Sequence, residues 1–293
     1  MDFLSALVNG ISMGTIYGLI ALGLTLIFGI MKIINFAHGT LLMLSMMTSY
    51  WIWKATGLNP YILIVVLAPI MFGFGYLTQR LFIKPVLDRQ KDVREPISVL
   101  LLTAALAMVF ENFALMAFGG NYVMAKTTFS DATLVLGGVT LSSARFYALL
   151  IALVIAVGFY LFLQYSEMGR KLRACGQDRN TASLMGIDVP STYAIAFGVG
   201  TALLAVAALT LIPFYYVHPT VGNVFMTKAF IVVVLGGLGS VPGAIVGGII
   251  IGLIESIGAQ YMTATLTTIV VYGIFLLVLF IKPSGLFGSR FEW

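Results

Sequence analysis

The chain of 293 residues is short of almost everything a water-soluble surface requires. Charged residues make up 9% of it, 16 basic and 11 acidic, where an average soluble domain carries about 25%. A soluble enzyme and a disordered chain are both excluded by that shortage. Cysteine is nearly absent, and Cys175 alone excludes a disulfide-stapled secreted module. Its basic and polar neighbours mark it as a spare cytosolic thiol. Histidine is scarce as well: His38 and His218 form no H-E-x-x-H run and no Cys/His cluster, so no metal site and no haem-type cofactor is expected. No Gly-Lys pair occurs, so the chain lacks the G-x-x-x-x-G-K-[ST] phosphate loop and has no ATPase site of that kind. Ser240 fails as the nucleophile of a G-x-S-x-G turn because Leu238 stands where its first glycine belongs. The net charge of +5 is too localised to form a nucleic-acid face.

What is there is apolar, 60% of the residues with a mean hydropathy of +1.04. Crossing roughly 30 Å of hydrocarbon takes about 20 helical residues. Runs of that length occupy Phe3–Met31, Ile33–Trp53, Tyr61–Gln79, Ile97–Phe118, Phe146–Tyr165, Tyr193–Ile212 and Met262–Ile281. Ala229–Ile254 is equally apolar, but the glycine-rich stretch from Gly236 to Gly243 splits it into two shorter helices meeting at a break. The fold class is therefore all-α, a polytopic membrane bundle of about eight to nine segments in one domain covering 1–293. A barrel would show alternating strands of about ten residues instead.

Fifteen of the charges fall in two stretches, Arg80 to Glu95 and Glu167 to Asp188. The first holds Arg80, Lys84, Asp88, Arg89, Lys91, Asp92, Arg94 and Glu95; the second holds Glu167, Arg170, Lys171, Arg173, Asp178, Arg179 and Asp188. Short loops rich in lysine and arginine stay in the cytoplasm. Both stretches then lie inside, Gly119–Arg145 lies outside, the N-terminus is out, and Lys282 and Arg290 end inside. Asp2 and the lack of a basic residue before Lys32 argue against a cleaved signal. Gly10, Gly14 and Gly18 share one face of the first span, and Gly243, Gly247, Gly248 and Gly252 recur later, the spacing that lets helix backbones approach closely in lipid.

A few polar residues stand out against this background. Glu111, with Asn112 beside it, is an acid inside an uninterrupted apolar span, about 21 Å along its helix from Ile97. Such a group faces the bundle interior and marks either a pathway or a structural hydrogen bond. Lys32, Asn35 and His38 lie between two apolar runs; Asn35 suits the N-cap of the next helix, and His38 serves either structure or a pathway lining. Glu255, just beyond Ile254, reads as a helix-end residue near an interface. In the cytosolic loop 166–190, Asp178 or Asn180 caps a short helix that Gly186 stops, giving a charged knob that is either a connector or a docking element.

The run ending Leu26-Ile27-Phe28-Gly29-Ile30, followed by Ile34-Asn35-Phe36-Ala37-His38-Gly39, resembles the N-terminal signature of the permease subunits of ABC importers for branched-chain amino acids. Met168-Gly169-Arg170, Met185-Gly186-Ile187-Asp188-Val189, Leu235-Gly236-Gly237-Leu238-Gly239-Ser240 and Lys282-Pro283-Ser284-Gly285-Leu286-Phe287-Gly288 continue the likeness in family order. The length resembles the shorter of the two permeases such importers pair. The resemblance implies import of leucine, isoleucine and valine through a bacterial inner membrane by alternating access. It also implies a second permease, two cytosolic ATPases that use the ATP, and an external substrate-binding protein. Family members carry an E-A-A-x-x-x-G coupling helix, and Asn180-Thr181-Ala182-Ser183-Leu184-Met185-Gly186 keeps its third alanine and its glycine while Asn180 and Thr181 replace the first two residues. Arg173, Arg179, Asn180, Ala182 and Gly186 are the coupling residues this implies; Asn35, His38, Glu111 and Asn112 are the candidate substrate pathway. Similar permeases for urea, short-chain amides or other amino acids are the alternative within this class. An ion-coupled carrier, which needs ionisable groups in several spans, and an intramembrane enzyme are the alternatives outside it.

Overall fold

The first helix, α1 (Phe3–Met31), is apolar all round, and a helix of that kind has to be enclosed by others. The computed structural model, which describes residues 3–89, 97–127, 132–136 and 139–288, places it at the centre of the molecule. Lys91, Asp92, Arg94, Glu95 and Arg290 lie outside the described residues. Lys32, at φ +55°, turns the chain back at the end of α1. Helix α2 (His38–Thr56) begins beside Ile20, well before the level at which α1 ends, and stops at Gly57 in the left-handed conformation. Asn59 caps α3 (Pro60–Thr78), which runs through one wide turn, Gln79–Ile83, into α4 (Lys84–Arg89). Next come α5 (Ile97–Phe118), a small antiparallel hairpin of β1 (Thr133–Leu136) and β2 (Val139–Ser142), and α6 (Ser143–Tyr165). Two short helices, α7 (Glu167–Gln177) and α8 (Arg179–Leu184), lead to α9 (Val189–Leu211). The chain closes with α10 (Val221–Gly236), α11 (Val241–Tyr261) and α12 (Ala264–Ile281).

Among the described residues seven helices are long and apolar enough to cross a membrane, and α10 is a shorter apolar one. The helical polytopic bundle expected from the sequence is what the chain forms, but the expected span Ile33–Trp53 is not among the seven. Helix α2 starts only at His38 and carries His38, Trp51, Trp53 and Lys54, whereas α11 beyond the glycine-rich break at Gly237–Ser240 is long enough to cross. The second half of that segment is longer than its apolar run suggested, since α11 continues past Ile254 to Tyr261. Helices α1 and α9 are the enclosed pair, whereas α5, α6 and α12 expose apolar side chains such as Met108, Val154 and Phe280 along their outer faces. Those faces suit hydrocarbon, where an exposed apolar side chain carries no penalty.

Glycine decides how α1 meets α11. A Cβ added at Gly14 would lie 2.6 Å from the Cα of Ile249, and one at Gly10 would lie 2.9 Å from the Cα of Leu253. Gly248 and Gly252 answer from the other side, against the backbones of Gly18 and Gly14. Gly10, Gly14 and Gly18 thus form one antiparallel contact with the α11 backbone that includes Gly248 and Gly252, whereas Gly243 and Gly247 face α10 at Gly236 and Val232. The same contact sorts the loops. Gly29 meets Gly239 and Gly176 at one end of the bundle, where Leu286 and Phe287 also donate backbone hydrogen bonds to Leu235 and Gly236. At the other end Val123 pairs with Val217, and Tyr61 donates to the carbonyl of Ala144.

Candidate functional site

The densest polar cluster inside the bundle joins α1, α10 and α11. Lys228 of α10 reaches Glu255 of α11 with 2.9 Å between Nζ and each carboxylate oxygen. The Tyr17 hydroxyl of α1 donates to Glu255 Oε2 at 2.7 Å and accepts from Lys228 Nζ at 2.8 Å. The ammonium also stands 4.7 Å from the centre of the Tyr17 ring, a cation–π distance. Tyr17 is buried, whereas the charged side chains keep 24% (Lys228) and 27% (Glu255) of their surface. Phe225 lies against Tyr17 and Tyr215. A second polar contact flanks the cluster on α1: Arg145 donates to Asn9 at 2.7 Å, and Ser12 donates to the carbonyl of Arg145 at 2.8 Å.

Sequence reading missed this cluster. Glu255 is not at a helix end: α11 carries it six residues short of its last residue, Tyr261, because the helix continues through Ser256 to Gln260. Lys228 went unnoticed because it borders the apolar run that starts at Ala229. The available signal was three isolated polar residues in apolar windows, Tyr17, Lys228 and Glu255, but their spacing in the sequence carries no helical period.

The residues expected to line a pathway occupy two other places. Asn35 and His38 are fully buried. Asn35 Oδ1 accepts from the Ala37 amide at 3.1 Å, closing a tight turn, so Ala37 rather than Asn35 takes the N-cap position of α2. The difference arises because the turn before the helix uses the amide oxygen first. His38 Nε2 lies 2.9 Å from the carbonyl of Ile20, and Gly39 packs against Gly222 at the start of α10. The beginnings of α2 and α10 therefore meet within the bundle. On α5, Glu111 accepts from Asn223 of α10 at 3.4 Å, and Asn112 bonds back to the carbonyl of Met108 at 2.8 Å and is exposed.

The loop 166–190 is ordered into α7 and α8. Ser166 caps α7 through the Gly169 amide, and Leu172 and Cys175 turn inward, with burial pushing the Cys175 thiol pKa up. Asp178 caps α8, accepting from the amides of Asn180 and Thr181 and from the Thr181 hydroxyl. These bonds, the hydroxyl first, hold its carboxyl below the usual aspartate value. Gly186, at φ +82°, ends α8: its amide bonds to Ser183 and that of Ile187 to Ala182, a pairing only a left-handed residue permits. Ala182 is buried, Arg173 donates to the side chain and carbonyl of Gln164, and Arg179 and Asn180 are exposed. Leu184 and Met185 project from the tip, 88% and 79% exposed. A cavity of about 350 Å³ lies behind α7, between Thr25 and Gly29 of α1, Tyr160 of α6 and Gly239.

No three His, Cys, Asp or Glu side chains converge to hold a metal ion among the described residues. A bundle with seven helices long and apolar enough to cross a membrane is that of a polytopic membrane protein. The comparison with known proteins makes the class specific. The profile described as "Branched-chain amino acid transport system / permease component" matches residues 6–279, and the chain belongs to that family. It is 30% identical to the high-affinity branched-chain amino acid transport system permease protein LivH of Salmonella typhimurium, over 98% of this chain and 96% of that one. It is 31% identical over the same shares to the permease protein BraD of Pseudomonas aeruginosa. The probable permease LivH of Methanocaldococcus jannaschii is 30% identical over 92% of this chain and 88% of its own length. No solved structure matches the chain.

Proposed function

We propose that the chain is the membrane-spanning subunit of an ATP-driven importer for branched-chain amino acids. The observation that carries this reading is the family match over almost the whole chain, with relatives named for that transport. The chain acts as one transmembrane domain over 1–293, pairs with a second permease, identical or homologous, and has no ATPase site of its own. ATP is used by two cytosolic ATPase subunits, and a binding protein delivers substrate from outside.

Loop 166–190 is the coupling element in this reading. Leu184 and Met185 offer an apolar tip to a groove on the ATPase, with Arg179 and Asn180 on the same exposed helix. Asp178, Ala182 and Gly186 shape that helix, and Arg173 ties α7 to the end of α6 through Gln164. Force on the knob reaches α1 through the contact of Gly176 with Gly29. Substrate moves past Glu111 and Asn112 of α5, where the Glu111 carboxylate reaches Asn223 of α10, with Asn35 and His38 holding the start of α2 behind it. The subunit sits in a bacterial inner membrane with its N-terminus out. The end bearing Arg80, Lys84, Arg170, Lys171, Arg173, Arg179 and Lys282 faces the cytoplasm, as lysine- and arginine-rich loops do.

Uptake of labelled leucine by cells with and without this chain tests the proposal. Loss of high-affinity uptake on deletion, insensitive to excess urea, is the expected result. Unchanged leucine uptake with loss of urea or amide uptake would move the substrate to the alternative solutes and leave the permease class in place.

A further inference from the structure

The Lys228–Glu255 pair is more exposed, and more strongly held, than a structural pin in a bundle has to be. Helices in lipid associate through small residues and close backbone contact, and the Gly10–Gly14–Gly18 face already supplies that between α1 and α11. Replacing a buried ion pair by well-packed apolar side chains is generally neutral or stabilising, so packing alone gives no reason to keep these two charges. Ionisable side chains within membrane helices face a bundle interior or an aqueous cavity and mark the path of a polar solute. Here both members keep about a quarter of their surface, on helices that do not enclose them fully.

We propose that Lys228 and Glu255, oriented by Tyr17, form an exchange station for the zwitterionic head of an α-amino acid. The substrate carboxylate takes the Lys228 ammonium and the substrate ammonium takes the Glu255 carboxylate. The station rests on the amino-acid reading above and deepens it by naming the residues that read the α-carbon substituents. In the empty state the two protein charges neutralise each other at 2.9 Å. In the loaded state each is neutralised by the opposite charge of the substrate, so no charge stands alone at either stage. That condition matters in a low-dielectric setting, where an unpaired charge is strongly disfavoured. Tyr17 suits the exchange because its hydroxyl both donates to Glu255 and accepts from Lys228, holding the two heads side by side while its ring backs the ammonium. Phe225 and Tyr215 place aromatic rings beside Tyr17 and so keep the surroundings of the pair apolar.

The chemistry discriminates. Urea and short amides carry no net charges to replace those they would separate, so they leave Lys228 and Glu255 paired and pass unread. Simple amines and simple carboxylates satisfy one member and strand the other. Only a molecule that carries an ammonium and a carboxylate on one carbon answers both members at once, and the station is indifferent to which branched side chain is attached.

The test uses the complete importer in proteoliposomes, once it has been established that it takes up labelled leucine. Absence of that uptake overturns the amino-acid reading itself and is thereby distinguished from failure of the exchange station. In the transporting complex, dicyclohexylcarbodiimide joins Glu255 to Lys228 as an amide and takes up the water released, and peptide mass spectrometry measures the yield. Leucine supplied with binding protein and ATP is expected to lower that yield at least threefold, and urea at the same concentration to leave it unchanged. A yield indifferent to leucine during transport overturns the proposal. The double variant Lys228→Met with Glu255→Met is expected to assemble while leucine uptake falls at least tenfold. Full uptake by that variant also overturns it. If the variant does not assemble, the cross-linking result on the unaltered complex decides alone.

Discussion

At the scale of single residues, the contact of α1 with α11 leaves little tolerance. Gly14 has no room for a side chain, since a Cβ there would sit 2.6 Å from the Cα of Ile249, which is backbone and does not swing away. Gly14→Val should therefore separate α1 from α11 and cost about 1–3 kcal/mol, the usual penalty of overpacking. The expected outcome is a lower thermal midpoint and a lower yield of folded protein in detergent. A midpoint equal to that of the unaltered chain would show that the two helices have space to part. Glu255→Ala acts differently: it leaves Lys228 charged among apolar helices, a change worth roughly 3–5 kcal/mol for a fully buried pair and less for one a quarter exposed. Its midpoint should fall, and adding Lys228→Met should restore it. The glycine contact was legible in the sequence because its four-residue spacing is a property of one helix. The Lys228–Glu255–Tyr17 cluster was not, because it is assembled from three helices whose order in space no local period reveals.

At the scale of elements, the exposed tip of α8 is the part of the knob with most to gain from a partner. Leu184 and Met185 stand almost wholly exposed, whereas Ala182 is already buried in the permease. Leu184→Asp should abolish co-purification of the ATPase while membrane insertion stays intact, and reversing charge at Arg173 and Arg179 together should do the same. Normal co-purification from either variant would place the docking surface elsewhere. Asp178 sets the shape of that tip. Its lowered pKa means that the carboxylate cap is complete above the ordinary aspartate value and is lost only as pH falls through the lower value of the folded state. ATPase binding should then be as strong at pH 5 as at pH 7. Asp178→Asn keeps an acceptor oxygen and should bind normally, and Asp178→Ala should bind weakly at both pH values, as a pull-down would show. The cap and the Gly186 stop were readable from residue type and spacing alone. The inward turn of Ala182 was not, since it depends on how α7 and α8 fold back on the bundle.

At the scale of the whole molecule, the two ends of the bundle differ in charge and in what they present. One end gathers the loops at 79–89, 166–190, 237–240 and 282–288, with most of the described lysines and arginines; the other holds the turn at Gly57, the hairpin β1–β2 and the Val123–Val217 bridge. Run length alone located nearly every span, because hydrocarbon thickness fixes how many apolar residues a crossing needs. It could not show that α2 starts deep beside Ile20, since that depends on the turn closed by Asn35 and on the Gly39–Gly222 contact. The proposed orientation rests on the charge asymmetry, and a single-cysteine experiment decides it. Cys175 is buried and its thiol pKa is raised, so it contributes little background. Leu58→Cys should react with a membrane-impermeant maleimide on intact cells, and Leu184→Cys only after the membrane is opened. Bound ATPase should then shield Leu184→Cys in opened membranes and leave Leu58→Cys reactive, because the knob and the Gly57 turn lie at opposite ends of the same bundle. The reverse labelling pattern would put the basic end outside, where no cytosolic ATPase could reach the knob, and would overturn the coupling reading together with the orientation.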